Sequence, residues 1–474
     1  MTAFAIILRH EMLRLARGRW LLPLWLAFLA VGAYAAWTGA AWTEQRRVAL
    51  DAIAAEERTT HQLRRTQIAE QVTPVNKSRY GGALYATAMS MRAVLPPGEL
   101  AVLTVGQAEG YPMAATIFPF TASNTIFDAH LAGLENPAVL AAGRFDLAFV
   151  LVWLLPLLVL AASFDLWAHE RERGMAPWLL SQPAPQLTWL LAKAAARAVV
   201  VVLPLVLLLV GMLWWAARPG LAALAQAGVL TGLYAAFWLA VAVLVNVFAR
   251  TATQAALGCV GSWMALVVVL PALALTLADL AAPPVREAAR VNALRASAMQ
   301  ARAEIRTAGL DATATATAAA PRVPAPAIPD SLRRRALEVA RGEILIAAAA
   351  QPFRDQDARR QRWLNAMRAA SPAIAFQDAL ERLAGADAGR ALQFQDQAHG
   401  FLLQVRALAN RYLAQDRVLT VADYDAGLPH FTFREAPDHM QLSALAYDAG
   451  IIALTLLLAL CAAPAAMRRQ PIHD

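Results

Sequence analysis

Few residues in this chain stand where chemistry would place them. Two pairs, His10-Glu11 and His169-Glu170, begin like the HExxH of a zinc hydrolase, in which two histidines one helical turn apart hold the metal. The fourth residue onward is Arg14 or Arg173, and a guanidinium cannot be the second zinc ligand. Ser262, in CVGSW, has no base beside it and reads as a small helix-contact residue next to Gly261. The only lysines, Lys77 in VNKS and Lys193 in LLAKA, do not follow the glycine of a G-x-x-x-x-G-K-[ST] phosphate cradle. His399, His430 and His439 lie among Asp396, Asp423, Asp425 and Asp438, but no ligand spacing recurs, so they read as surface polar residues. The residues thus nominate no catalytic group, no metal site and no cofactor of this chain's own. Any nucleotide energy must come from another polypeptide.

One stretch remains, FDLWAHERERGMAPWLLSQPAPQLTWLLAK, Phe164 to Lys193. Glu170, Arg171, Glu172 and Arg173 form a charge cluster, and Gly174 after it can end a helix. Pro177 suits the first turn of a new helix, and Pro183 and Pro185 prevent that helix continuing. The spacing predicts a short surface helix showing Trp178, Leu179 and Leu180. Two readings of it weigh equally on spacing alone: an element that seats in a partner's groove, and a membrane-edge loop whose aromatics dip into headgroups.

The elements that position this loop are set by hydropathy. Of 474 residues 59% are hydrophobic and 16% charged, against roughly 25% charged in soluble domains. With a mean hydropathy of +0.45, the chain reads as an all-α polytopic membrane protein. Six segments approach the roughly 20 apolar residues that a bilayer requires: 21–42, 145–166, 196–217, 226–249, 254–278 and 445–466. Pro23, Pro156, Pro204 and Pro271 lie inside four of them, which membrane helices tolerate. No Asp, Glu, Lys, Arg or His is expected deep within a span, which argues against an ion-coupled carrier; Asp146 and Asp448 come nearest, at outer ends. Cys259 and Cys461 fall in spans and read as packing residues.

Arginines flank the short loops: Arg9, Arg14, Arg17 and Arg19 before the first span, Arg171 and Arg173 after the second, Arg250 between the fourth and fifth, and Arg468 and Arg469 at the end. Both termini are therefore expected in the cytoplasm, with two large insertions, 43–144 and 279–444, outside. Residues 1–20 read as a cytoplasmic amphipathic helix, 167–195 as a cytoplasmic loop and 467–474 as a cytoplasmic tail. The first insertion balances nine basic against nine acidic residues, so the net charge of +8 does not mark a nucleic-acid binder. Residues 44–72, 283–309 and 330–416 read as helical, the last broken near Pro352, Pro372 and Gly385, while 311–329 reads as a low-complexity Ala/Thr/Pro linker, extended or mobile.

The loop resembles the first cytoplasmic loop of ABC-2 type permeases, the membrane halves of ATP-binding-cassette transporters. The likeness rests on Glu170, Arg171, Glu172, Gly174, Leu179, Leu180, Ser181, Pro183 and Lys193. Met175, Ala184-Pro185 and Ala192 depart from the family's usual residues. Segments 95–112 and 135–160 are similar to a subgroup with large extracytoplasmic domains, that of gliding-motility and nitrous-oxide reductase maturation permeases. The resemblance implies a six-helix half-transporter in a bacterial inner membrane, paired with an identical or paralogous permease. It also implies two separate ATPase subunits that bind ATP and magnesium and push on an ATPase-coupling loop made of Glu170, Arg171, Glu172, Arg173, Gly174, Trp178, Leu179, Leu180 and Pro183, with export the commoner direction. A signalling or mechanical component of such a complex, acting on envelope partners without moving a solute, is the alternative; a membrane-embedded enzyme is third, with no acid–base pair to nominate.

Overall fold

In lipid a chain must satisfy its backbone polar groups internally, and for apolar runs of this length the helix does so. The protein is described from a computed structural model over residues 3–70, 85–86, 89–128, 145–182, 184–316 and 328–469. It is almost entirely helical. Helix α1 (Ala3–Ala16) precedes α2 (Leu21–Glu70), whose apolar first half continues without a break into a polar extension. The apolar helices continue with α3 (Leu147–Ala161), then α6 (Gln186–Ala217), α7 (Leu221–Phe248) and α8 (Ala252–Ala281). Between α3 and α6 lie two short helices, α4 (Ala168–Glu172) and α5 (Ala176–Leu180). After α8 come α9 (Glu287–Ala316), α10 (Asp330–Arg368), α11 (Pro372–Ala384), α12 (Ala388–Ala414), α13 (Val421–Asp425) and α14 (Asp438–Arg469). Five of these helices, α2, α6, α7, α8 and α14, are long and apolar enough to cross a bilayer, and α3 is a shorter apolar helix.

Three of the apolar helices contain a π-turn: Val150–Leu154 in α3, Ala198–Val202 in α6 and Met264–Val269 in α8. Each ends just before a proline in its helix, Pro156, Pro204 or Pro271. A proline lacks the N–H that would bond one turn back, so the ladder is rearranged there rather than broken.

The insertions carry a second core. Ile68 at the far end of α2, Val339 of α10, Phe394, Phe401 and Leu402 of α12, and Leu419 and Leu428 pack around a small antiparallel pair, β1 (Met91–Val94) and β2 (Ala114–Ile117). Met91 pairs with Ile117 and Val94 with Ala114, which puts Met91, Ala93, Ala115 and Ile117 on the buried side. The sequence showed no alternation over 44–72, of which the described residues 44–70 are helical, and the hairpin lies further on, in strands too short to stand out. Helices α9 and α10 form a long antiparallel hairpin, closed by Gly342 against Ala301 and by the Arg341–Glu304 pair at 2.7 Å.

Two helix boundaries differ from expectation. α10 runs through Pro352 instead of breaking there; the residue is on an exposed face, where water can take up the unpaired carbonyl. α9 extends to Ala316, so the start of the 311–329 stretch is helical rather than extended; 317–327 lie outside the described residues. Pro372 opens α11 and Gly385 ends it in the left-handed conformation (φ 67°).

Helix α11 belongs to the core of the spans, not to that of the insertions. Ala373, Ala375, Phe376, Ala379 and Leu380 are buried with residues of α3, α7 and α14. The Phe376 ring stacks on Tyr234 of α7 at 4.0 Å, and Ser371 Oγ donates to Leu266 O of α8 at 2.9 Å.

Candidate coupling site

The loop between α3 and α6 is built on capped ends. Asn246, fully buried in α7, accepts from Trp167 N at 3.0 Å and Ala168 N at 3.2 Å, covering the free donors where α4 begins. Its amide nitrogen donates to Ala242 O at 2.9 Å. At the other end of α4, Gly174 takes φ 69°, Gly174 N donates to Arg171 O at 3.0 Å and Met175 N to Glu170 O at 2.9 Å, the paired bonds of a Schellman turn. α5 then starts with Pro177 in its first turn, Ser181 N closes on Pro177 O at 3.1 Å, and Pro185 leads into α6.

Within the charge cluster Glu170 faces inward and Arg171 is half-buried, while Glu172 and Arg173 are exposed. Glu170 is 6% exposed and pairs with Lys193 of α6, itself 2% exposed. Arg171 Nη1 donates to Val247 O at 3.2 Å and Ala249 O at 2.9 Å, taking up carbonyls at the end of α7. Burial, and then the nearby Arg250 charge, lower the pKa of the Arg171 guanidinium. Glu172 accepts from Ala252 N at 3.1 Å in the first turn of α8, where a carboxylate also meets the positive end of the helix dipole. Three successive charges therefore bolt the loop to α6, α7 and α8 in turn.

The apolar residues divide the other way. Trp178 is 67% exposed and Met175 44%, while Leu179 packs partly against the core of the spans and Arg173 lies on the surface. Leu180 is the last residue of α5, and its side chain and Pro183 lie outside what is described. The result is a rigid base of buried ion pairs and caps, with an apolar tip. Sequence spacing placed these residues in one loop, but it did not say which were base and which tip. Asn246 and Arg197 were missed as members of the site; an asparagine among apolar residues near the end of a span was the available signal.

A second layer of charge ties α1 to this base. Arg197, 1% exposed, donates from Nε to Ala162 O at 2.8 Å and pairs with Asp165 at 3.0 Å and, more loosely, with Glu11 of α1 at 3.9 Å. Glu11 also meets Arg14 at 3.3 Å. Lys193 and Arg197 look like flanking charges in the sequence, yet both are enclosed by α1, α4 and the end of α3. A buried charge persists only when paired, and each of these is. Among the described residues no cluster of His, Cys, Asp and Glu could hold a metal.

The family model for the ABC-2 family transporter protein matches residues 5–467. The chain belongs to that family, and it is a membrane permease subunit of an ABC transporter, a class that associates with ABC ATPase subunits. No curated protein matches the chain.

Proposed function

We propose that the α4–α5 loop is where separate ATPase subunits drive this permease, that two permease chains enclose one pathway, and that the cargo leaves the cytoplasm. One observation carries the reading: Trp178 and Met175 stand exposed on a short helix whose base is fixed by Glu170–Lys193, Arg171 and Glu172 to three different spans. A solvated loop gains nothing from an exposed tryptophan so held, whereas an apolar knob seated in a partner's groove transmits force to every helix it is bolted to. ATP and magnesium belong to the partner. In this reading both termini and the α4–α5 loop lie in the cytoplasm of a bacterium, the membrane is the inner one, and the two insertions lie outside, as in the large-domain subgroup. The test is co-expression with an ATPase encoded beside this chain. Membranes holding both should hydrolyse ATP faster than the ATPase alone, and Trp178→Asp should remove the gain without lowering the amount of permease; an unchanged gain refutes the docking assignment.

The mechanical reading draws on α2, which runs unbroken from the span at Leu21 to Ile68 in the core of the insertions. At 1.5 Å per residue, 50 residues make a rod of about 75 Å that can carry span motion to an envelope partner. ATP hydrolysis that requires such a partner, with no compound moved in reconstituted vesicles, would favour it.

A further inference from the structure

The hairpin of α6 and α7 turns over on the side of the insertions, where the Glu99 carboxylate accepts from Gly220 N. Along the hairpin runs a groove of about 600 Å³, lined by Val202, Val206 and Val210 of α6 and by Leu221, Gly228 and Gly232 of α7. Its volume falls within the roughly 300–1,000 Å³ of small-molecule sites, and each described residue lining it is apolar or glycine. The valines recur every fourth residue and form one wall. Branched at Cβ, they hold one preferred rotamer in a helix and do not swing across the gap. The glycines leave the other wall low: a Cβ on Gly232 would meet nothing within 4 Å, and one on Gly228 would touch Val210 at 3.4 Å. Leu203 and Val229 are exposed along the rims.

The groove is one leaflet deep. From Leu221 at its mouth to Gly232 at its deep end, α7 rises roughly 17 Å, against about 15 Å for half of a bilayer's hydrocarbon core. Trp214 and Trp215, 53% and 65% exposed, lie one turn inward of Arg218 and mark the headgroup level beside the mouth. Past Gly232 the free surface ends, because Tyr234, Ala235, Phe237 and Trp238 of α7 are buried within the chain. A helix of another subunit would cross the whole bilayer and would find only half a face to pack on. A single acyl chain needs no more than this.

The mouth carries a cation. Arg218 ends α6 in the left-handed conformation (φ 49°), which a residue other than glycine seldom takes, and it is exposed. It pairs with no carboxylate among the described residues, and the neighbouring Glu99 is engaged on Gly220 N. A guanidinium at headgroup level, three residues from Leu221 and an apolar groove one leaflet deep, complements an anionic phosphate with a hydrocarbon tail.

We propose that the α6–α7 groove holds one acyl chain of a phospholipid from the insertion-side leaflet, with the lipid's phosphate on Arg218. The tail ends against Ala198 and Val202, the two ends of the π-turn of α6. This goes beyond the docking assignment and does not depend on it, because binding is read without an ATPase.

The test titrates the purified full chain in detergent with phosphatidylglycerol, or with diacylglycerol of the same acyl chains, and counts bound lipid by native mass spectrometry. The unchanged chain should hold its first phosphatidylglycerol about tenfold more tightly than later ones. Gly232→Leu and Ala225→Phe, which fill the groove at two depths, should each abolish that first site. Gly261→Leu, which projects into open space on α8 instead, should leave it intact. Arg218→Gln should weaken the first phosphatidylglycerol about tenfold, the scale of one charge-assisted hydrogen bond, and leave diacylglycerol binding unchanged. The proposal is overturned if the unchanged chain has no distinct first lipid, or if both filled variants bind it as tightly. A lipid-free dimer of unchanged chains that Gly232→Leu takes apart would seat a second copy in the groove and overturn it as well. Equal phosphatidylglycerol affinity in Arg218→Gln overturns the phosphate assignment. Should Gly232→Leu fail to accumulate, Ala225→Phe decides alone.

Discussion

Glu170 and Lys193 meet inside the protein, one from the first helix after a span and the other from the helix that begins the next, and neither is more than 6% exposed. Their contact fixes the start of the α4–α5 loop to the helix that follows it. Losing one partner leaves the other charge buried and uncompensated, which is far more costly than losing both.

Lys193→Met and Glu170→Met should each destabilise the permease by about 3 kcal/mol, while the double substitution recovers most of that loss. Thermal unfolding of the purified chain in detergent, followed by loss of monodisperse protein, reads the four corners of the cycle; additive losses would mean that the pair is not coupled.

Trp178→Ala should change stability by no more than about 0.5 kcal/mol, because the side chain is mostly in solvent. The same substitution should sharply reduce stimulation of the partner ATPase. A lower melting temperature with intact stimulation would reverse both halves of this expectation.

Asn246→Leu should cost about 3 kcal/mol, because Trp167 N and Ala168 N lose their acceptor in a buried setting. Asn246→Asp keeps an acceptor but loses the donor to Ala242 O and buries an unpaired carboxylate, so it should not restore stability at neutral pH. Hydrogen exchange at the amides of 167–168 provides a local check, with faster exchange expected in the leucine variant.

Gly174→Ala should cost about 1 kcal/mol. Nothing lies within 4 Å of the position a Cβ would take, so the loss is one of backbone conformation at φ 69° and not of packing. Gly174→Asn, which tolerates the left-handed region better, should be milder in the same unfolding assay.

Much of the architecture could be read from the chain because lipid imposes simple rules. Apolar length gave the spans; Gly174, Pro177 and Pro185 gave the breaks around α4 and α5, since glycine and proline act through their own backbones. Pro352 shows where that logic ends: the same residue type is carried inside α10, because an exposed helix face lets solvent take the unpaired carbonyl. Charges were the least legible. Glu170, Arg171 and Glu172 read only as a charge cluster because their anchoring depends on partners 23 to 80 residues away: Lys193, the carbonyls of Val247 and Ala249, and the amide of Ala252.

The sequence alone determined that this chain is a helical membrane protein of the ABC-2 kind, with a proline-bracketed loop carrying Trp178. Tertiary structure alone decided which side of that loop is anchored and which is free, and that α11, a helix unremarkable in composition, leaves the insertions to lie among the spans. The physical reason is common to both. Hydropathy and backbone restriction are properties of a residue and its near neighbours, whereas the pairing of a buried charge such as Asp448 with Arg368 and Arg382 exists only when distant segments are brought together.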